Sequence, residues 1–361
     1  MADLPPTMRA VVLTGPGEWE LQEVPTPEPE GSDVVCRVHS VAICGTDPNI
    51  IKGAFPGMWP SHYPFIIGHE WAGEVVAIAP EVAESAAIAA RFAPGTRVAG
   101  EAHCGCGICA NCLVGDYTIC LNYGDNTLGH HHYGFTTQGA YATYIRTSVK
   151  SIHPLPGQLS YDEAAMLDMA GVALNGVYRA GVKVGDTVCV TGPGPAGNMT
   201  LQLCKAAGAK KVIMVGRGAR LQTAVELGAV PVDYEKTEDV VKAVWDLTDG
   251  RGADVVFECA GTKESCTKSP LMVRKGGKLV MTALAKEPIP IEWSKLTLAQ
   301  VNFIGVRANP NTSDAALAML ADGRVNGKYL HTHSFPLDQF GEALATFVEK
   351  REGAMKVVLK P

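Results

Sequence analysis

Two hydrophobic textures divide this chain. Up to about residue 150 the apolar positions fall in short β-branched runs, at 9–13, 34–41 and 73–78, set apart by glycine and proline turn signals. That pattern predicts a β-rich domain. From about Pro156 apolar runs alternate with helical stretches, predicting strands at 187–191, 211–215, 254–258, 278–281 and 302–305 and helices at 198–207, 220–227 and 237–248 between them. Alternation of this kind belongs to a parallel sheet with crossover helices, an α/β arrangement. A helix at 312–321 and a β-like tail at 356–359 follow, and the tail is long enough to return to the first domain. The alanine-rich segment 81–92 reads as one surface helix without chemistry.

Composition narrows the class. A chain of 361 residues exceeds what one core usually holds, so two domains are expected. A net charge of −6 with no basic stripe argues against a nucleic-acid surface. No run approaches about 18 apolar residues and the N-terminus lacks a signal-like pattern, so no membrane span and a cytoplasmic location are expected. In that compartment the 11 cysteines point to metal and free thiols rather than disulfides.

Four of them, Cys106, Cys109, Cys112 and Cys120, lie within one short loop, the first three at two-residue gaps, with Gly107 and Gly115 easing the backbone. This is the spacing of a closed, structural Zn²⁺ site. The plainer alternative is a loop of buried or disulfide-linked cysteines. Cys104, just outside the set, reads as a spare thiol.

Gly192-Pro193-Gly194-Pro195-Ala196-Gly197 follows a predicted strand and opens a predicted helix, the context in which G-x-G-x-x-G marks a dinucleotide turn. The glycines permit the turn, the approach of a pyrophosphate and close helix–strand packing. An NAD site expects a carboxylate at the end of the next strand, where this chain has Gly216, then Arg217 and Arg220. Loss of the carboxylate and gain of guanidinium favour NADP over NAD. The alternative is that Arg217 is a solvated loop residue and the site takes NAD.

Cys44-Gly45-Thr46-Asp47, Gly68-His69-Glu70, Pro94-Gly95-Thr96-Arg97-Val98, the cysteine lobe and the glycine turn, in that order, give the chain a resemblance over its whole length. It resembles the zinc-dependent medium-chain alcohol dehydrogenases, and more the sorbitol and threonine dehydrogenase branch than the liver type. The resemblance implies a GroES-like catalytic domain at 1–160 with its zinc lobe at 100–125, a Rossmann domain at 161–306, and a segment 307–361 that returns to the first. It implies two Zn²⁺ per chain and a homodimer or homotetramer. It makes Cys44 and His69 ligands of a catalytic zinc, with Glu70 the carboxylate beside it and Asp168, 24 residues before Gly192, the third ligand. Such a site leaves one position open, where the metal acts as a Lewis acid on an alcohol or carbonyl oxygen. Thr46 is implied to pass the proton on.

The chain departs from the family at Asn49, where many members carry a histidine as the outer end of the relay. An amide takes no proton at neutral pH, so the relay ends in water or at another base. The run His130-His131-His132 is a candidate replacement, a pocket wall or a solvated loop. Phe55, Met58, Trp59 and Tyr63 are candidates for an apolar substrate lining, which suggests a secondary alcohol or ketone. Two further readings stand: a reductase of activated C=C or C=N bonds, kept open by Asn49, and a nucleotide-binding scaffold without turnover.

Overall fold

The computed structural model describes residues 4–157, 159–285 and 287–361. The chain forms two compact units, Met1–Asp168 with Ser313–Ala321 and His331–Pro361, and Met169–Thr312 with Asp322–Leu330.

In the first unit Asp33–Ala42 is the central strand of a seven-stranded sheet, pairing antiparallel with Glu70–Ile78, Tyr144–Ser148 and the tail strand Lys356–Lys360. It has a neighbour along each edge, and the side chains of its Val34, Val38 and Val41 are buried in the unit's apolar core. A three-stranded sheet of Glu18–Pro25, Thr7–Gly15 and Phe65–Ile66 lies beside it. One apolar core containing Phe65, Trp71, Tyr141 and Phe340 serves this unit. The tail is held by that core through Val357 and Leu359, so the last strand contributes to the same interior as the first.

The second unit is a six-stranded parallel sheet, in space Val230–Asp233, Lys211–Gly216, Thr187–Thr191, Ala253–Glu258, Val273–Met281 and Asn302–Gly305. Numbered along the chain this is 3-2-1-4-5-6, the doubly wound order that reverses direction at its first strand. Val230–Asp233 escapes sequence reading because it contains Pro231, and it tolerates that residue because it is an edge strand. The helix after the glycine turn runs Pro195–Ala206, starting earlier than the apolar period suggests, because Pro195 supplies a ready helical φ at the first position.

The alanine-rich segment differs from the single helix expected. It forms two short helices, Pro80–Ala83 and Ala86–Arg91, broken where Ser85 is extended. Among their residues only Val82 is buried, so no packing holds the segment in one piece. Among the described residues no helix is long and apolar enough to cross a membrane.

Candidate functional site

Cys44 leaves the strand Asp33–Ala42 and precedes the short helix Asp47–Ile51. His69 enters through Gly68, whose φ of +95° turns the chain against the ring of Tyr141, where a Cβ would lie 2.4 Å from Tyr141 Cδ1. Only glycine fits that turn. Glu70 then opens the strand Glu70–Ile78. These local turns bring one ligand atom each from Cys44, His69 and Glu70 to within 4.8 Å of one another.

Asp47, a motif residue to which the sequence assigned no role, is the hinge of this group. Its Oδ2 accepts from the Cys44 amide at 2.8 Å and the Tyr141 hydroxyl at 2.6 Å, and its Oδ1 lies 3.5 Å from His69 Nδ1. No hydrogen bond joins the two atoms, so the carboxylate acts on the imidazole through its charge. Burial pushes the Asp47 carboxyl up, against the pull of His69 and the two donors. Burial by itself would lower His69, but the charges of Cys44, Asp47 and Asp168 together raise it to about 10.

Glu70 is paired with Lys356, delivered from the other end of the chain by the tail strand, and both side chains are nearly inaccessible. Asp168 sits in the first turn of the helix Leu167–Ala180, buried, with Oδ1 accepting from the Ala102 amide at 3.1 Å. Burial, aided by Glu70, raises its carboxyl to about 6 while the His69 ring draws it down. It acts electrostatically on His69, while the three ligand atoms within 4.8 Å of one another are those of Cys44, His69 and Glu70. The buried Lys356 ammonium thus lies among the Glu70 and Asp47 carboxylates and the Cys44 thiol, and the sulfur, imidazole and carboxylate beside it are donor types that zinc takes. Thr46 Oγ1 is buried with no hydrogen-bond partner beside this group, and Asn49 Nδ2 is turned to Gly45 O at 3.5 Å.

The four-cysteine lobe passes a sharper test of fit. Sγ of Cys106 lies 3.9 Å from Cys112, and Sγ of Cys109 lies 3.8 Å from Cys120, with all four ligand atoms within 4.8 Å. Disulfide sulfurs would sit at about 2.05 Å. A tetrahedron with Zn–S bonds of about 2.3 Å has edges of about 3.8 Å, so the thiols stand at zinc spacing. Amides of Cys112 and Leu121 point at Cys109 Sγ (3.5 and 3.4 Å) and bring this thiol down to about 6. Gly107 and Gly115 both have positive φ, and a Cβ on Gly105 would meet Cys112 Sγ at 2.7 Å. Cys104 lies outside the set, its thiol pushed up by burial.

In the second unit Gly192 turns the chain at φ +95°, Gly194 is the N-cap of the helix Pro195–Ala206 and no side chain caps it. The first-turn amides of Ala196 and Gly197 therefore face outward as anion donors. Asn198, which sequence reading placed only as a helix start, clasps Pro193 O at 2.6 Å and reaches Arg220 O at 3.4 Å, tying the turn to the helix Gly218–Glu226. Its own Oδ1 is buried without a partner. Gly216 packs on Pro193, and a Cβ there would lie 2.3 Å from Pro193 Cγ, so no carboxylate side chain can stand at this strand end. Arg217 is exposed, bonded to Glu235 at 2.5 Å and stacked over Tyr234. Arg220 is half-buried, with Nη1 3.9 Å from where a Gly194 Cβ would be.

Comparison with known proteins agrees in extent. Residues 30–157 match the alcohol dehydrogenase GroES-like domain and residues 195–322 the zinc-binding dehydrogenase family. The chain is 31% identical to sorbitol dehydrogenase of Halalkalibacterium halodurans, over 98% of this chain and 99% of that one. It is 31% identical to D-arabitol-phosphate dehydrogenase of Enterococcus avium, over 98% and 97%. A crystal structure of a protein described as a zinc-binding dehydrogenase from Sinorhizobium meliloti 1021, bound to NADP, superposes with a TM-score of 0.87 at 29% identity, covering 98% of this chain and 99% of that one.

Proposed function

Because the chain belongs to the zinc-dependent medium-chain alcohol dehydrogenases, in their sorbitol dehydrogenase-like branch, and is an alcohol oxidoreductase, we propose that it interconverts a secondary alcohol and its ketone with NADP. The observation that carries this reading is the group of Cys44, half-buried, with His69 and Glu70, both buried, flanked by Asp168 and by the unpartnered hydroxyl of Thr46.

We infer two zinc sites per chain. Cys106, Cys109, Cys112 and Cys120 form the closed one, which stabilises its lobe. Cys44, His69 and Asp168 form the open one. Glu70 has its charge met by Lys356, whereas the leading positive charge acting on Asp168 is that of His69, itself a candidate ligand. Asp168 is therefore the better third ligand, and Glu70 the neighbouring carboxylate that holds Lys356 in place. A bound zinc supplies Lewis-acid polarisation of the substrate oxygen, and a bound nicotinamide accepts or returns the hydride.

The chain's own groups do the rest. Asp47 acts on the His69 ring through its charge. Thr46 Oγ1 has a free lone pair and a free proton, which suits it to take the alcohol proton and hand its own onward. Asn49 cannot accept that proton, so water receives it. At the cofactor, Gly192, Gly194, Pro195, Ala196 and Gly197 cradle the pyrophosphate, and Gly216, Arg217 and Arg220 leave room and positive charge for a 2′-phosphate. Phe55 and Trp59 give the substrate an apolar wall. A cytoplasmic homodimer or homotetramer accords with the family.

Metal analysis joined to a substrate panel tests this. Asp168→Asn should lose about one zinc per chain and nearly all turnover, while Glu70→Gln keeps more of the metal. Linear and cyclic secondary alcohols should outperform polyols, with a lower Michaelis constant for NADP than for NAD. Preference for NAD would sink the cofactor reading, and full zinc in Asp168→Asn the ligand assignment.

A further inference from the structure

The run His130-His131-His132 has no part in the chemistry above, yet His130 and His132 are buried. His132 lies in a column of rings. It stacks on His103 at 3.8 Å and 17° and on Phe135 at 3.8 Å and 7°, and Phe135 packs on His69 at 4.6 Å. Trp59 meets the same Phe135 edge-on at 5.0 Å and touches Phe55 at 5.0 Å. One ring, Phe135, thus stands between Trp59 and the candidate zinc ligand His69.

Trp59 belongs to a loop with little regular structure, between the helix Asp47–Ile51 and the strand Phe65–Ile66, with Met58 beside it exposed. Its side chain is nonetheless tethered. The indole Nε1–H donates to the Tyr123 hydroxyl at 2.8 Å, and that hydroxyl lies 2.5 Å from His132 Nδ1. An indole N–H can only donate, so the Tyr123 oxygen accepts from it and its single proton is left for His132 Nδ1. Tyr123 in turn follows Asn122, whose amide donates to Cys106 Sγ at 3.3 Å. The tether is therefore anchored on the four-cysteine lobe.

We propose that Tyr123 is a positioning residue for substrate selectivity: its hydroxyl, shared between Trp59 and His132, fixes the Trp59 ring as the wall of the alcohol site beside Phe135 and His69. This rests on the alcohol dehydrogenase reading. Without the hydroxyl a half-buried indole N–H loses its acceptor and the ring turns to find water. Alcohols whose apolar substituent packs on Trp59 then bind less well, whereas those too small to reach it are little affected.

The test uses the zinc-loaded enzyme and the variants Tyr123→Phe, Trp59→Phe and the double variant, with 1-phenylethanol and 2-propanol. Tyr123→Phe should lower the ratio of kcat/KM for 1-phenylethanol over 2-propanol by about tenfold, mainly through KM, as loss of a contact equal in ground and transition states does. Because Tyr123 acts through Trp59, the double variant should be no worse than Trp59→Phe. The emission of Trp59, taken as the difference between each protein and its Trp59→Phe partner, should shift to the red when Tyr123 is replaced. An unchanged ratio, losses that add in the double variant, or a fall in kcat alone would overturn the proposal. If the wild-type protein oxidises no alcohol, the alcohol dehydrogenase reading fails; the emission shift then still supports the tether, and an unmoved spectrum refutes it.

Discussion

Gly194 and Gly197 stand three residues apart in one turn, yet a methyl group added at each meets different surroundings. A Cβ on Gly197 would lie 1.9 Å from Gly192 O, and since real contacts of this kind do not fall below 3.0 Å, backbone must move by at least 3.0 − 1.9 = 1.1 Å. Overpacking of that order costs about 1–3 kcal/mol. A Cβ on Gly194 meets nothing nearer than Arg220 Nη1 at 3.9 Å, and φ there is −70°, which any residue adopts. Gly194→Ala should therefore fold normally, within about 1 kcal/mol of wild type. Its methyl group, however, stands where the backbone must approach the pyrophosphate. If the clash with ligand costs a similar 1–3 kcal/mol, the dissociation constant for NADPH rises roughly 5- to 150-fold. Calorimetric melting together with NADPH and NADH fluorescence titrations separates the two. Gly197→Ala should lose both stability and affinity, and Gly194→Ala affinity alone. Wild-type binding of both nucleotides by Gly194→Ala would refute the assignment of this turn to the cofactor.

Two further outcomes follow from named contacts. Cys109→Ser removes the thiol brought down to about 6 by two backbone amides; it should cost about one zinc per chain and lower the melting temperature, and retention of both would refute the closed site. His153 lies between Glu101 Oε2 (3.2 Å) and Asp314 Oδ1 (2.7 Å); burial by itself lowers it, but these two carboxylates raise it above 6.5. A pKa raised on folding gives stability that is complete below about pH 6.5 and fades as pH rises through the folded value. The melting temperature should fall from about pH 6.5 upward, with His153→Gln flattening the slope. A rise over that window, or the same slope in the variant, would contradict it.

How much of the site could be read from the chain depended on how far apart its partners lie. The cysteine lobe spans Cys106 to Cys120 and the nucleotide turn Gly192 to Gly197, so covalent geometry alone confines each group, and spacing sufficed to find them. The Asp47 hinge needed Tyr141 and His69 brought together across the first unit. Lys356 needed the tail strand to pair with Asp33–Ala42, and nothing in its own neighbourhood marks it as the partner of Glu70. The aromatic wall was visible as residue types, whereas its tether through Tyr123 joins positions 59, 123 and 132 and has no local signal. Asn198 looks like any helix residue until Pro193 O and Arg220 O are seen to converge on it.

The order of the motifs and the change of apolar period near Pro156 decided the family, the parallel sheet and which residues could carry chemistry. Those properties reside in residue type and in separations of a few positions, which the chain imposes before it folds. The tertiary structure decided which carboxylate stands against His69, which one Lys356 neutralises, and why Gly216 can bear no side chain. These depend on packing summed over the whole unit, where a side chain's partner is chosen by the strands and helices that close around it rather than by its neighbours in sequence.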